Sequence, residues 1–405
     1  MITNLDPLKI LWVGDAVVSS GFARCTHAAC DALYAAGHKV AVLGINYYGD
    51  PHSYPYPIFP CNQPLDSGYD LFGVGRLPVF VNRFRPDVVV LLNDAWNIPA
   101  YVKHLKDNID DGVPIPKLIG WIAVDAKNQR GSGLNGLDHV VTWTQFGVDE
   151  LVAGGYTGPT SIVPLGVLPH FHPIPRSESL KKINIDLPDD AFVVGVVGRN
   201  QLRKRIDLSI EYFAEWVRRF DLPNAYLYLH VAPTGDAGCD IRSLAHYHKV
   251  NPKRLLLCEP NIEHGNDDDR MPLVYSLFDV YLNTTQGEGW GLPCLEAMAC
   301  DVPCIVPAWS ALGEWAKDAS YQVPCTSTAL TAPMNGLAYT IGGIPDKEGT
   351  IEALDHLYRD VDLRHGLASA GLELASRLTW ENTKAGFVEV VDKVMGRHSA
   401  VREAV

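Results

Sequence analysis

Two glutamates eight positions apart, Glu288 and Glu296, bracket the run EGWGLPCLE, which follows an apolar stretch at Val280 to Leu282 and a polar turn at Asn283 to Gly287. Gly287, Gly289 and Gly291 permit unusual backbone angles and close approach of a ligand, and Pro293 suits the first turn of a helix running to Cys300. A strand, a glycine turn and a helix N-terminus together make an anion site, because the first N–H groups of a helix have no partner within it. The N–H groups near Gly291 and Leu292 would face a phosphate. Glu296, one turn into the helix, can accept hydrogen bonds from the vicinal hydroxyls of a ribose, and Glu288 lies nearer whatever the phosphate carries. The plainer alternative is a glycine turn with two solvated carboxylates. Trp290 is expected to pack, with walling of a sugar as its other reading.

A second pattern supplies cations. In VGRNQLRK, Val197 to Lys204, an apolar strand delivers Arg199 and, five residues later, Lys204 to the start of a helix. Positive side chains there suit an anion, or else form a solvated turn. The first loop, Gly14 to Phe22, holds Ser20 and Gly21 between a strand and a helix, where α/β sheets bind ligands. It lacks G-x-G-x-x-G, which argues against a nicotinamide dehydrogenase. Asp125 and Asp94 each end an apolar run, and either carboxylate would lie at a strand's C-terminal edge, with helix capping as the alternative reading of Asp125. His246 and His248 have no second matching pair, so no metal site is expected. Asp267 to Asp269 read as a run that caps the helix beginning near Met271.

These residues need elements to hold them. Short apolar runs recur at Ile10, Val40, Val88, Leu118, Val140, Phe192, Ala225, Leu255, Val280 and Cys304, without alternation, as strands buried on both faces require. Helical periodicity lies between many of them, as at Cys25 to Ala36 and Asp207 to Phe220. The fold expected is therefore α/β, with doubly wound parallel sheets. A proline-rich stretch, Ser161 to Pro173, and a charged one, Arg176 to Asp190, break the alternation. Two Rossmann-like domains, 1–170 and 171–377, are expected to face one another across a cleft, with a terminal helix over 378–405 crossing back and Thr379 as its N-cap.

The 405 residues are 47% hydrophobic and 20% charged, ample for packed cores. A net charge of −13 disfavours a dedicated nucleic-acid-binding role, and no run approaches the roughly 18 apolar residues that cross a bilayer. Met1 to Leu8 lacks the basic and apolar regions of a leader, and the nine cysteines form no C-x-x-C pair, so a reducing cytoplasm is expected.

Glu288 to Pro303, EGWGLPCLEAMACDVP, resembles the setting EG(F/W)GLPxxEAMAxGxP of the GT-B-fold glycosyltransferases of the large retaining family 4. Asp301 stands where that family usually has glycine. The likeness extends to VGRxxxxK at Val197 to Lys204, to the linker at Ser161 to Pro173, and to the opening Gly21 to Val40, where Ser20 replaces one glycine of a pair. It implies a GT-B architecture and retaining sugar transfer from a nucleoside-diphosphate sugar, UDP or GDP, as co-substrate, without metal or resident cofactor. By the same resemblance Glu288 contacts the donor sugar, Glu296 the ribose, Arg199 and Lys204 the diphosphate, with Arg203 as a substitute, and Asp125 the sugar region. Ser20, Gly21, Gly289, Trp290, Gly291 and Leu292 complete the donor site. The acceptor is left open among a glycan or lipid-linked sugar, a small molecule, a protein and, less in keeping with the charge, a modified DNA base. The rivals are a GT-B sugar-nucleotide epimerase, a sugar phosphorylase, a non-catalytic nucleotide-sugar-binding protein and a glycoside hydrolase. The last needs two carboxylates flanking the bond and has no use for a phosphate cradle.

Overall fold

The computed structural model describes residues 6–65, 68–232, 238–258, 268–331 and 339–397. The chain divides into two compact units, one of Met1–Val124, Gln129–Leu165 and Trp380–Val405, the other of Asp125–Asn128 and Gly166–Thr379.

The first unit is built on strands β1 (Lys9–Asp15), β2 (Lys39–Ile45), β3 (Ile58–Pro60), β6 (Val88–Asp94), β7 (Lys117–Ala123), β8 (His139–Thr142) and β9 (Thr160–Ile162), with a small hairpin of β4 (Gln63–Leu65) and β5 (Gly68–Asp70). Its seven-stranded sheet has the order β3-β2-β1-β6-β7-β8-β9, and every pairing in it is parallel. Helices α1 (Gly21–Ala35), α2 (Leu77–Phe84), α3 (Ile98–Asn108), α4 (Gln145–Ala153) and the C-terminal α13 (Trp380–Val394) belong to it. Parallel strands need helical crossovers that cover both faces, which is why β1, β6 and β7 are almost wholly apolar and buried. Phe387 of α13 packs its ring 4.5 Å from Trp121 and 5.2 Å from Trp12.

Ser20 N-caps α1, accepting from the Ala23 N–H at 3.0 Å, while its hydroxyl donates to Asp15 at 2.7 Å. Val17 in the same loop has φ +64°, costly for a β-branched residue. Its N–H is held by His27 Nε2 at 2.9 Å, and burial, aided by His52, depresses the His27 imidazole to about 4.

The second unit repeats the plan with β10 (Phe192–Val197), β11 (Ala225–His230), β12 (Leu255–Cys258), β13 (Val280–Leu282), β14 (Cys304–Pro307) and β15 (Tyr321–Val323), all parallel in the order β12-β11-β10-β13-β14-β15. An antiparallel pair, β16 (Cys325–Leu330) and β17 (Ile341–Pro345), is separate from this sheet. The helices are α5 (Arg176–Ile183), α6 (Ile206–Phe220), α7 (Ile241–Tyr247), α8 (Met271–Tyr275), α9 (Leu292–Ala299), α10 (Ser310–Trp315), α11 (Lys347–Arg359) and α12 (Val361–Arg377). In α6, Ile206, Ile210, Phe213 and Trp216 recur on one face and are buried against Phe192, Val194, Leu227 and Leu229. Each such side chain contributes about 1.5–3 kcal/mol by leaving water. The helix stops at Asp221, whose left-handed φ of +50° lets its N–H close on Val217 O.

The charged stretch at which the alternation breaks is helical over its first part, Arg176–Ile183. Burial of Ser179 and Ile183 and an ion pair from Arg176 to Asp279 at 3.0 Å tie α5 to the second unit. Asp267 of the acidic run lies outside the described residues, and Asp268–Arg270 form a short 3-10 turn leading into α8.

Asp301, where the resembling family carries glycine, has φ +62° and closes the C-terminus of α9 through its N–H to Met298 O at 3.0 Å. Aspartate tolerates that conformation better than most residues but not freely. Asp301→Gly is expected to raise stability by about 0.5–1 kcal/mol, the relieved left-handed strain minus the added entropy of an unfolded glycine. A urea midpoint that falls instead would show that the Asp301 side chain makes a stabilising contact.

Candidate functional site

In the second sheet the chain runs outward from β10 to β12 and then returns to the other side of β10 as β13, so the loops after β10 and β13 flank a topological switch point. Open α/β sheets bind ligands beyond the carboxyl ends of strands at such a point. The two loops are stitched together: Gln286 N–H donates to Arg203 O at 2.9 Å, Thr285 Oγ1 to the same carbonyl at 3.3 Å, and Thr284 Oγ1 to Arg205 O at 2.8 Å. Asn200, 1% exposed, locks the start of the first loop, donating from Nδ2 to Ala232 O and Cys239 O at 2.9 and 2.7 Å.

This framework brings four of the residues singled out from the sequence into one cluster. Lys204 Nζ lies 2.6 and 2.7 Å from the two carboxylate oxygens of Glu288. Arg203 reaches Glu288 Oε2 at 3.5 Å, donates to Gly287 O at 2.7 Å, and pairs through Nε with Asp125 Oδ2 at 3.2 Å. Burial pushes the Glu288 carboxyl up, but Lys204 and Arg203 outweigh it and hold the group below its ordinary range. Burial also pulls the Lys204 ammonium down, with Glu288 opposing. The Glu288 N–H donates to Ser310 Oγ at 2.9 Å, which fixes the backbone beneath the carboxylate.

Two glycines are needed here for stated reasons. A Cβ on Gly287 would sit 1.8 Å from the carbonyl oxygen of Asp125, so only glycine lets Asp125–Asn128 pass against this loop. Gly291, the N-cap of α9, has φ +96°, a conformation that L side chains rarely adopt. Leu292 and Pro293 open α9 half-buried, with no side chain capping them. Glu296 is 5% exposed, one turn on, and accepts from Tyr275 Oη at 2.7 Å. Burial, and next the Glu296 charge, raise the Tyr275 phenol well above its ordinary value.

Gly289 is buried in the loop, and Trp290, 3% exposed, stacks on Trp315 with centroids 5.0 Å apart while its carbonyl accepts from Trp315 Nε1 at 2.8 Å. Arg199 is exposed at the head of the β10 loop. Ser20 and Gly21 open α1, and Asp94 ends β6, all in the first unit. His246 lies in the last turn of α7 with His248 as its C-cap, and among the described residues no three His, Cys, Asp or Glu side chains gather as metal ligands.

Sequence reasoning ranked Arg203 below Lys204 and passed over Ser310 and Tyr275. For Arg203 the signal was present, a second cation adjoining the lysine. Ser310 and Tyr275 lie 22 and 21 residues from their glutamate partners, beyond any local pattern.

Residues 191–338 match the family described as glycosyl transferases group 1. A D-inositol 3-phosphate glycosyltransferase of Stackebrandtia nassauensis is 26% identical over 307 residues, 72% of this chain and 62% of that relative. An alpha-galactosylglucosyldiacylglycerol synthase of Streptococcus pneumoniae is 25% identical over 261 residues, 60% of this chain and 61% of the relative. Among solved structures, sucrose-phosphate synthase from Thermosynechococcus elongatus superposes with a TM-score of 0.72 at 17% identity, covering 96% of this chain and 99% of that one. Anabaena HepE in complex with UDP and glucose superposes with a TM-score of 0.69 at 13% identity, over 95% and 100%. The matched segment 191–338 contains the loops after β10 and β13 together with α9, and the chain carries this glycosyl transferases group 1 segment on a GT-B fold.

Proposed function

We propose that the protein is a retaining glycosyltransferase that takes a sugar from a nucleoside-diphosphate sugar and passes it to an acceptor hydroxyl. The observation that carries this reading is the cluster at the switch point of the second sheet, where Lys204 and Arg203 from the loop after β10 meet the buried Glu288 on the loop that leads into α9. Lys204 and Arg199 neutralise the diphosphate together with the first N–H groups of α9, the work that a divalent metal would otherwise do, so no metal is needed. Glu296 holds the ribose, and Glu288 holds hydroxyls of the transferred sugar, with Asp125 nearby. Gly289, Gly291 and Leu292 form the turn that admits the donor, Trp290 backs it, and Ser20 and Gly21 are also assigned to donor binding. Retention follows if the departing diphosphate itself takes the acceptor's proton, which leaves no need for an enzyme nucleophile.

The HepE structure with UDP and glucose, and that of an E. coli trehalose-6-phosphate protein with UDP-2-fluoro glucose, make uridine donors the first to try. The acceptor stays open among a glycan, a small molecule, a protein and a modified base, and the names of the curated relatives put polyol and lipid-linked hydroxyls first. Work in a reducing cytoplasm is in keeping with the eight free cysteines among the described residues.

A thermal-shift panel of UDP-, GDP- and ADP-sugars tests the reading. A true donor at 100 times its dissociation constant stabilises by about 2.7 kcal/mol. Transfer from that donor should survive EDTA. A panel without any shift or donor turnover sinks the reading, and a rate lost to EDTA and restored by one divalent ion sinks its metal-free part.

A further inference from the structure

The cluster contains two cations and two carboxylates, and its bonds are unevenly shared. Lys204 engages both oxygens of Glu288, while Arg203 touches the same carboxylate at 3.5 Å and is anchored on two other sides, by Gly287 O and by Asp125. This inference rests on the donor-site reading above. A diphosphate that enters the site brings about two negative charges and competes with Glu288 for Lys204. Glu288 is 6% exposed, and a buried carboxylate deprived of its counter-ion is strongly destabilised. The guanidinium fork of Arg203 is the second cation already aimed at it.

We propose that Arg203 is a positioning residue that keeps the Glu288 carboxylate ionised and in place while Lys204 turns to the donor diphosphate. Asp125 and Gly287 O hold Arg203 where it can take over, so the handover costs little movement. The groups around Glu288 are Lys204 and Arg203 from the β10 loop, Asp125 behind Arg203, the protonated Tyr281 phenol on β13, and Ser310, whose hydroxyl accepts from the Glu288 N–H. Lysine cannot reproduce the fork that spans Asp125, Gly287 and Glu288.

The test is calorimetric titration of the full chain with UDP and with GDP, between pH 5 and 8, in buffers of different ionisation heat, so that protons taken up on binding are counted. In the wild type little uptake is expected. In Arg203→Gln, Glu288 loses its remaining partner when Lys204 leaves, so uptake rises toward one proton at the acidic end. The acidic limb of the turnover profile moves up by about one pH unit or more, while nucleotide affinity at pH 8 stays within roughly threefold. Arg203→Lys, which keeps the charge, gives an intermediate shift and serves if the glutamine variant does not fold. In a Glu288→Gln background, Arg203→Gln adds no uptake.

Equal uptake in wild type and both Arg203 variants overturns the inference. So does a loss of nucleotide affinity at pH 8 as large as that of Lys204→Ala, which would make Arg203 itself a phosphate ligand. Failure of the wild type to bind any nucleoside diphosphate overturns the donor-site reading, and this inference with it.

Discussion

Lys204→Met should lower the melting temperature by about 6–12 °C, and adding Glu288→Gln should restore most of that stability without restoring turnover. Removing Lys204 leaves the Glu288 carboxylate buried with only the longer contact to Arg203. Breaking a buried pair from one side costs about 3–5 kcal/mol, and the remaining arginine puts this case at the low end. In a unit of this size each kcal/mol moves the midpoint by about 2–4 °C. The second substitution removes the stranded charge, so the double variant recovers. Turnover does not, because one cation for the diphosphate is still missing, a loss of roughly 10²–10³. The effect has a defined pH range. The Glu288 carboxyl is held below its ordinary 4.5, so the pair's stabilisation is present above that value and is lost as pH falls through the lowered one. Differential scanning calorimetry of the three proteins at pH 7 decides the matter, and a double variant less stable than Lys204→Met would refute it.

The second large effect separates the glutamates. Glu296 is assigned to the ribose, which is unchanged by reaction, so Glu296→Gln should weaken free nucleotide and intact donor alike, by about tenfold. Its bond from Tyr275 persists in part, because an amide oxygen still accepts. Glu288→Gln should cut turnover by roughly 10²–10³ without loss of free UDP or GDP affinity. The ion pair sharpens the expectation: once Lys204 is released from Glu288, the affinity for free nucleotide holds or rises. Titrations with nucleotide alone and with donor, beside kcat for each variant, give the answer. Equal loss of free nucleotide affinity in both variants would reverse the proposed orientation of the donor.

The fold could be read from the sequence wherever local pattern and burial coincide. The ten apolar runs correspond to β1, β2, β6, β7, β8, β10, β11, β12, β13 and β14, because a strand covered on both faces has to be apolar throughout. Edge strands such as β3 and β9 escaped notice. Their residues are half-exposed, and Ile58 alone of Ile58–Pro60 is buried, so hydrophobicity marks neither. Helix α5 was hidden for a related reason, since two buried positions in eight make a weak stripe. At the candidate site, the glycine turn and the cations were visible as motifs, yet nothing in their spacing pairs Lys204 with a carboxylate 84 residues away. That pairing is a property of the switch point, where two loops distant in sequence are forced together by strand order.

Asp125–Asn128 belong to the second unit although the chain on both sides of them belongs to the first. The carbonyl of Asp125 lies against Gly287, Lys127 exchanges two backbone hydrogen bonds with Ile341 at 2.9 and 3.0 Å, and its ammonium sits 4.8 Å above the Trp309 ring. For protein engineering, the second unit is thus not a cassette bounded by just the two seams at 165/166 and 379/380. A chimera that takes 166–379 from this chain and the remainder from a relative inherits a foreign tetrapeptide against Gly287 and on the edge of β17. Its Arg203 then meets whatever side chain the relative supplies in place of Asp125. Swaps meant to change donor preference therefore have to carry 125–128 along with the larger segment, and a library that shuffles only at 165/166 and 379/380 will be enriched in failures whose cause lies in four residues outside the exchanged block.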